Sequence, residues 1–424
     1  MQLTKLLQHI SLNQLRSKIW FRTLTITLLA LALSHSILYQ ITSSPIFSQQ
    51  KDNDYEMSDF YNQVANNRPI RTFNSQIVIL SIDNCSRTDI AKLVDIVSYM
   101  QPKAIGIDVF FSYHSEEDSV LIAALNQNPN IVLAYDAYQE TQTAFAQQLP
   151  HAHWGAINLI TKRASGTIRQ FKPQFNDSIF AFSAQLARLA NTESFNNLKQ
   201  RGKPFETIHF PSQSFDEVNG QNILHGQINL LDLEELLADK IVLMGDIHNP
   251  FDQHKTPINS NMPGIIINAH ILSTILSGNY IEHTPLWFNW AIAILTSLLF
   301  SFAIVYFQTN NILKSYTTFM IRVFQVAIIT LFLYIGCYIF AHYHYYCNFA
   351  PALFMVGLGV LSVAVEPVVY LLLQGIQTCI TYLIKAIKTG IQYLNKAFRA
   401  GKRHITLWVT NLKNKRNAKH SKKI

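Results

Sequence analysis

The stretch DKIVLMGDIHNPFDQHKTPINSNMPGIIINAHILSTILSG, Asp239–Gly278, decides the fold. Ile241 to Met244 is a short apolar run closed by Gly245 and Asp246, which predicts a buried strand with a sharp turn at its end. The loop that follows holds Asp246, His248, Asp252 and His254, the polar crowding that α/β folds place beyond the carboxyl ends of their strands. Pro263 and Gly264 open a helical pattern in which Ile266, Ala269, Ile271 or Leu272, Ile275 and Leu276 recur at three to four residues. Gly278 ends it. Pro285 then leads into an apolar run of membrane length, so the loop stands one helix away from a bilayer.

Upstream the same rhythm repeats. IVILSID (Ile77 to Asp83) reads as a continuous apolar strand, a helix is expected from about Thr88 to Met100, and AIGIDVFF (Ala104 to Phe111) is a second strand. A helix from about Glu116 to Asn126 and the strand IVLAYD (Ile131 to Asp136) follow. Strands alternating with helices imply βαβ crossovers, hence an α/β domain with a largely parallel sheet and helices on both faces. The middle is less regular. GAINLI (Gly155 to Ile160) and TIRQFKP (Thr167 to Pro173) read as a hairpin, Ser178 to Ala190 as an amphipathic helix, and Asn191 to Thr207 as a polar loop. Ile223 to Leu230 is expected to be a strand and LDLEELLA a short helix. Before the first strand, Ser43 to Gln76 reads as a connector, with Met57, Phe60, Tyr61 and Val64 spaced to cover one face of a short helix.

With 424 residues, 49% hydrophobic and 14% charged, the chain is too apolar for an ordinary soluble protein, and membrane spans account for the excess. The expected spans are 23–41, 286–307, 323–341 and 349–373, giving a helical membrane region of several spans. Residues 1–22 form a basic N-terminus and 374–424 a basic tail, while 42–285 form the domain between, with its core at 77–278. The first span is either an uncleaved anchor or a cleaved signal peptide, since Ala32, Ser34 and Ser36 are small enough for a cleavage site. The domain carries 16 Lys and Arg against 25 Asp and Glu, a formal charge of −9, whereas the whole chain is +8. The basic balance therefore reports topology and not nucleic acid, which is not an expected partner. By the positive-inside rule both termini are cytoplasmic and the acidic domain lies across the membrane.

The order IVILSID, QPKAIGIDVFF, GAINL with SGTIRQF, FSAQLARLA, LADKIVLMGD and MPGIIINAHILSTILSG resembles the cyclase/histidine-kinase-associated sensory extracellular domain family, in its second type. That resemblance covers about Ile77 to Gly278 and continues through three spans. It implies an integral membrane sensor of a bacterial cytoplasmic membrane, its domain in the periplasm or outside, joined to a cytoplasmic cyclase or kinase. Here the residues after Leu373 do not compose such an output domain, so the expected output is a separate cytoplasmic signalling partner, with a homodimer as a further expectation.

Asp83, Asp108, Asp136 and Asp246 each end an expected parallel strand and would share one sheet edge, where such folds hold ligands. Converging carboxylates suit an ion or a cationic or polyhydroxyl small molecule; equally, aspartates at these positions cap helices and tie turns. His248 and Asp252 extend this candidate set, and Arg169, after SGTI where the family also shows a basic residue, pairs with a strand-end carboxylate or forms a structural salt bridge elsewhere. His248, His254 and His270 with Asp246 and Asp252 would make a metal site only in a spacing unlike known zinc patterns; this is the basis of the alternative function, a membrane-anchored metal-dependent hydrolase. No cofactor is expected, and no G-x-S-x-G elbow, Walker loop or HExxH helix is present, so an enzyme is not expected. Cys85 is alone in the domain, and Cys337 and Cys347 could pair only if both face the outer surface. Glu366, beside Pro367, either marks a functional site in a span or reaches the inner headgroups. In the tail, Ile376, Ile380, Leu383, Ile387, Ile391, Leu394 and Phe398 make a basic amphipathic helix, facing membrane lipid or a partner helix.

Overall fold

The computed structural model describes residues 18–43, 56–66, 72–138, 144–161, 166–309 and 316–420. They fall into two compact bodies, one of Ser34–Leu295 with Arg322–Phe354, the other of Met1–Leu33, Thr296–Ile321 and Met355–Ile424.

The first body is built on a parallel sheet of seven strands: β1 (Thr72–Ser81), β2 (Ala104–Asp108), β3 (Ile131–Tyr135), β4 (His153–Ala156), β5 (Phe180–Ala181), β6 (Gln213–Asn219) and β7 (Ile241–Gly245), in spatial order β5-β4-β3-β2-β7-β1-β6. Every neighbouring pair is parallel, as the apolar runs predict for strands buried on both faces. Ile77, Ile79, Ile241 and Leu243 point into one core with helices Phe182–Ala190 and Gly264–Ser277, while Val78, Leu80, Val242 and Met244 point into another with Arg87–Tyr99, Asp118–Gln127 and Leu230–Leu237. Two cores from one set of strands follow from the period of two in side-chain direction. The first of the outer helices is set by a capping box: Ser86 Oγ accepts from Asp89 N and the Asp89 carboxylate accepts from Ser86 N. Helix Phe182–Ala190 lies directly on the sheet, where a Cβ at Gly155 would stand 2.5 Å from Phe182 Cα.

Three expectations change. Residues 192–201 are a helix, not a loop: Asn191 caps its start, Gly202 closes it in the left-handed region, and only Phe195 and Leu198 with Ser194 are buried, so its apolar face is too narrow to show a period. Strand β6 comes before Ile223 and not after it; it is an edge strand whose two buried apolar residues, Phe215 and Val218, lie three apart and enter opposite cores, so it shows no alternation, and Ile223 sits in the helix Gly220–Leu224. The hairpin shrinks to one antiparallel bridge, Ile160 with Gln170, because Gly155 and Ala156 belong to β4 and Gln170–Phe171 pairs with Glu206–Thr207. The turn residues 162–165 lie outside the described residues.

Among the described residues four helices contain segments long and apolar enough to cross a membrane: α1 (Ile19–Ser43), α2 (Leu286–Thr309), α3 (Thr317–Tyr343) and α4 (Ala350–His420). The expected last span and the expected tail are therefore one helix of 71 residues. In the second body Arg22 donates to both carboxylate oxygens of Glu366 at 2.8 and 2.9 Å and to Gln308 Oε1 at 2.9 Å. Glu366 is buried and is neutralised by a bidentate partner on another apolar helix.

Candidate functional site

The sheet order places Asp136, Asp108, Asp246 and Asp83 at the carboxyl ends of neighbouring strands β3, β2, β7 and β1. Each is occupied by nearby donors. Asp83 accepts from Ile247 N at 2.9 Å and is in hydrogen-bond contact with His248 Nδ1, which pins the loop after β7 to the end of β1. Burial would raise Asp83, but hydrogen bonds with Asp246 and His248 outweigh it and hold the carboxyl well below its usual range. Asp246 moves the opposite way, raised by burial and by the Asp83 carboxyl beside it, while Asp83 raises His248. Asp246 also accepts from His248 N at 2.9 Å within its own turn. Asp136 accepts from Asn158 Nδ2 at 2.7 Å and from Tyr138 N at 3.0 Å.

Asp108 accepts from Asn268 Nδ2 at 3.0 Å, and its carboxyl is pushed up to about 7, first by burial and then by the charge of Asp252. Asp252 itself accepts from Gly264 N at 3.2 Å at the start of helix Gly264–Ser277 and meets His254 Nε2 at 2.8 Å. A side chain at 264 would strike it, a Cβ there standing 2.5 Å from Asp252 Oδ2. A carboxylate at a helix N-terminus satisfies an orphan N–H and opposes the positive end of the macrodipole. His270 lies apart from this edge, buried with ring centroids 5.2 Å from both Phe210 and Phe215, and burial holds it down to about 3. Among the described residues no three His, Cys, Asp or Glu side chains converge as metal ligands.

Arg169 is elsewhere. Its Nε and Nη2 donate to the two oxygens of Asp59 at 2.8 and 2.6 Å, both side chains buried, in a bidentate pair that joins the segment before Gln170–Phe171 to helix Met57–Asn66. Beside this pair lies a cavity of about 830 Å³ whose walls include Met57, Ser58, Phe205, Ile208, Phe340 and Tyr346. Its size suits a small organic molecule. Among the described residues Ser58 Oγ, which is buried, has no hydrogen-bond partner. Two residues along the same helix from Asp59, Tyr61 is fully buried, its ring 5.8 Å from Phe340 and 5.9 Å from Tyr346, and its hydroxyl donates to the Cys347 carbonyl at 3.3 Å. The ring seats on Gly336 of α3, where a Cβ would stand 2.3 Å from Tyr61 Oη. A parallel pairing of Glu282–His283 with Tyr345–Tyr346 ties the chain leaving the sheet domain to the turn between α3 and α4. Arg201 and Lys203 hold Glu282 at 2.5 and 2.6 Å.

The sequence marked Tyr61 as one of a helical face but gave no sign of Asp59, Ser58 or Gly336. Asp59 and Arg169 are 110 residues apart, and nothing in either neighbourhood names the other.

An α/β domain of parallel strands, joined to helices apolar enough to cross a bilayer, is the architecture of a membrane protein with a folded domain beside its spans. A family model, the CHASE2 domain, matches residues 27–306, and the chain belongs to that family, which is sensory and not catalytic. Neither the curated proteins nor the solved structures contain a match to it.

Proposed function

We propose that this is a multi-span sensor of a bacterial cytoplasmic membrane whose α/β domain lies on the outer side, binds a small molecule, and transmits through the spans to a separate cytoplasmic protein. The observation that carries this reading is the cavity beside Arg169, because its walls combine sheet-domain segments with residues at the ends of α3 and α4. A molecule held there would touch both the domain and the chain that enters the membrane. The charges of Arg169 and Asp59 compensate each other, so the fitting ligand has a largely apolar body with one or two hydrogen-bonding groups, one of them within reach of Ser58. Asp83, Asp108, Asp136, Asp246, His248 and Asp252 act in this reading as fasteners of the strand-end loops. Thermal-shift screening of the full chain in detergent with a panel of small amphiphiles tests it. A compound that raises the melting temperature should lose its effect in Ile208→Trp, which fills the cavity, and keep it in Asp108→Asn. Loss in Asp108→Asn alone would move the ligand to the strand ends.

A further inference from the structure

A second cavity, of about 380 Å³, lies where the sheet domain meets the turn between α3 and α4. Two histidines face each other in its wall: His209, from the segment after Glu206–Thr207, and His344, from the turn, with ring centroids 4.6 Å apart, edge to face. Both backbones are fixed. Thr274 of helix Gly264–Ser277 accepts from His209 N at 3.1 Å, while the His344 carbonyl accepts from Glu282 N at 2.8 Å. His344 stands at φ 54°, in the left-handed region that a residue with a Cβ enters at a cost, so the turn is held in place by what it touches.

Among the described residues nothing around the pair can answer a positive charge. The cavity wall holds no carboxylate there; its other titratable side chains are Tyr334, Cys337, Tyr338 and His342, all of α3. Helix Gly264–Ser277 brings only His270, and the one acid of helix Met57–Asn66, Asp59, is committed to Arg169. Glu206 and Glu282 are both held by Arg201, and His283 lines the larger cavity instead. A proton on either ring would therefore sit beside a second imidazole without a counter-ion, and protons on both would set like charges against each other. Burial holds His209 down to about 4, helped by His344, and it lowers His344 as well.

We propose that the His209–His344 contact is a proton-sensitive latch, closed when both rings are neutral and opened by acid, which frees the turn between α3 and α4 from the sheet domain. Once apart, each ring regains water and its ordinary affinity for a proton, near 6.5. The open form takes up protons that the closed form refuses, so closure is favoured above about 7 and is lost as pH falls from about 6.5 toward 4. One proton taken up by the open form alone shifts the closed-to-open ratio by up to about tenfold per pH unit. Strain at His344 adds to the opening. The inference goes beyond the sensory reading by naming the proton as a signal, and it does not depend on what the larger cavity binds.

Amide hydrogen exchange of the full chain in detergent, corrected for the intrinsic pH dependence of exchange, tests it. The reporters are Glu282 N and Thr284 N, which donate to the carbonyls of His344 and Tyr346 across the junction. Their protection should fall about tenfold or more between pH 7 and pH 5, while that of strand β7 holds. Unchanged protection at the junction overturns the latch, and so does an equal fall in β7, which would report loss of the whole domain. His209→Gln, and His344→Asn, chosen because Asn tolerates the left-handed backbone, should each keep the junction protected at pH 5. A fall that persists in both variants, or that disappears in His270→Phe or His342→Gln, assigns the titration to another group and overturns it. Should a variant lack protection in β7 even at pH 7, the parent profile decides: a fall confined to the junction, with its midpoint between about 4 and 6.5, is the supporting result.

Discussion

Along the carboxyl edge of the sheet, four aspartates stand on neighbouring strands and are met by donors from the loops and helix beside them: Ile247 N and His248 for Asp83, His248 N for Asp246, Asn158 for Asp136 and, from helix Gly264–Ser277, Asn268 for Asp108. Around the cavity one carboxylate, Asp59, meets one cation, Arg169, from a segment 110 residues away, and one ring, Tyr61, closes on a glycine of α3. The first region is dense in ionisable groups, and its hydrogen bonds join strand ends to the loop and helix that follow β7. The second is sparse and connects distant parts of the chain. Several hydrogen bonds fasten the strand ends to segments that the two apolar cores already hold in place, so each is worth little. A bidentate ion pair with both members buried holds two segments in one relation, and losing either member exposes the full cost of the other.

The comparison breaks most directly at the ion pair. Arg169→Met leaves the Asp59 carboxylate buried without its partner and should cost about 3–5 kcal/mol of stability, whereas Arg169→Met with Asp59→Leu should recover most of that loss. Urea unfolding of the full chain reads both; if the single change costs no more than Asp136→Asn does, the distinction between the regions is void. A smaller effect is expected at Gly336→Ala, where the new Cβ collides with Tyr61 and overpacking should cost ~1–3 kcal/mol. The same substitution combined with Tyr61→Ala should cost less than the two changes summed, and strict additivity in that double-mutant cycle would show that ring and glycine do not touch.

A pH-dependent effect sharpens the other side. Burial pushes the Asp108 carboxyl up to about 7 from an ordinary 3.8, so the unfolded chain releases this proton first as pH rises. Its contribution is complete below about 4 and is lost toward 7, at most about 1.4 kcal/mol per pH unit in that window. Asp108→Asn keeps the acceptor for Asn268 and cannot ionise. It should melt like the parent at pH 4 and higher than the parent at pH 8, and parallel pH profiles for the two proteins would show that Asp108 stays ionised.

Much of this was legible in advance, for definite reasons. Continuous apolar runs such as IVILS and IVLMG have one stable use in a folded chain, a strand covered on both faces, and runs of span length have one stable use in a bilayer. Helix 192–201 escaped notice because it buries only one edge, although Asn191 and Gly202 stood at its two ends as cap and stop. The strand-end aspartates drew attention because each closes an apolar run that reads as a parallel strand, and such ends share one sheet edge. The cavity did not, because its walls come from several distant segments and none of them carries a pattern of its own.

The sequence by itself determined the layers, the parallel sheet, the apolar helices and the sign of the charge on each part, all of which depend on the period and polarity of neighbouring residues. Only the tertiary structure decided that Arg169 answers Asp59, that Glu366 answers Arg22, that Tyr61 rests on Gly336, and that the last span and the tail are one helix. Those relations depend on which segments are brought together when the two cores and the apolar helices close. A desolvated charge accepts the partner within a few ångströms of it, and distance along the chain carries no information about which partner that is.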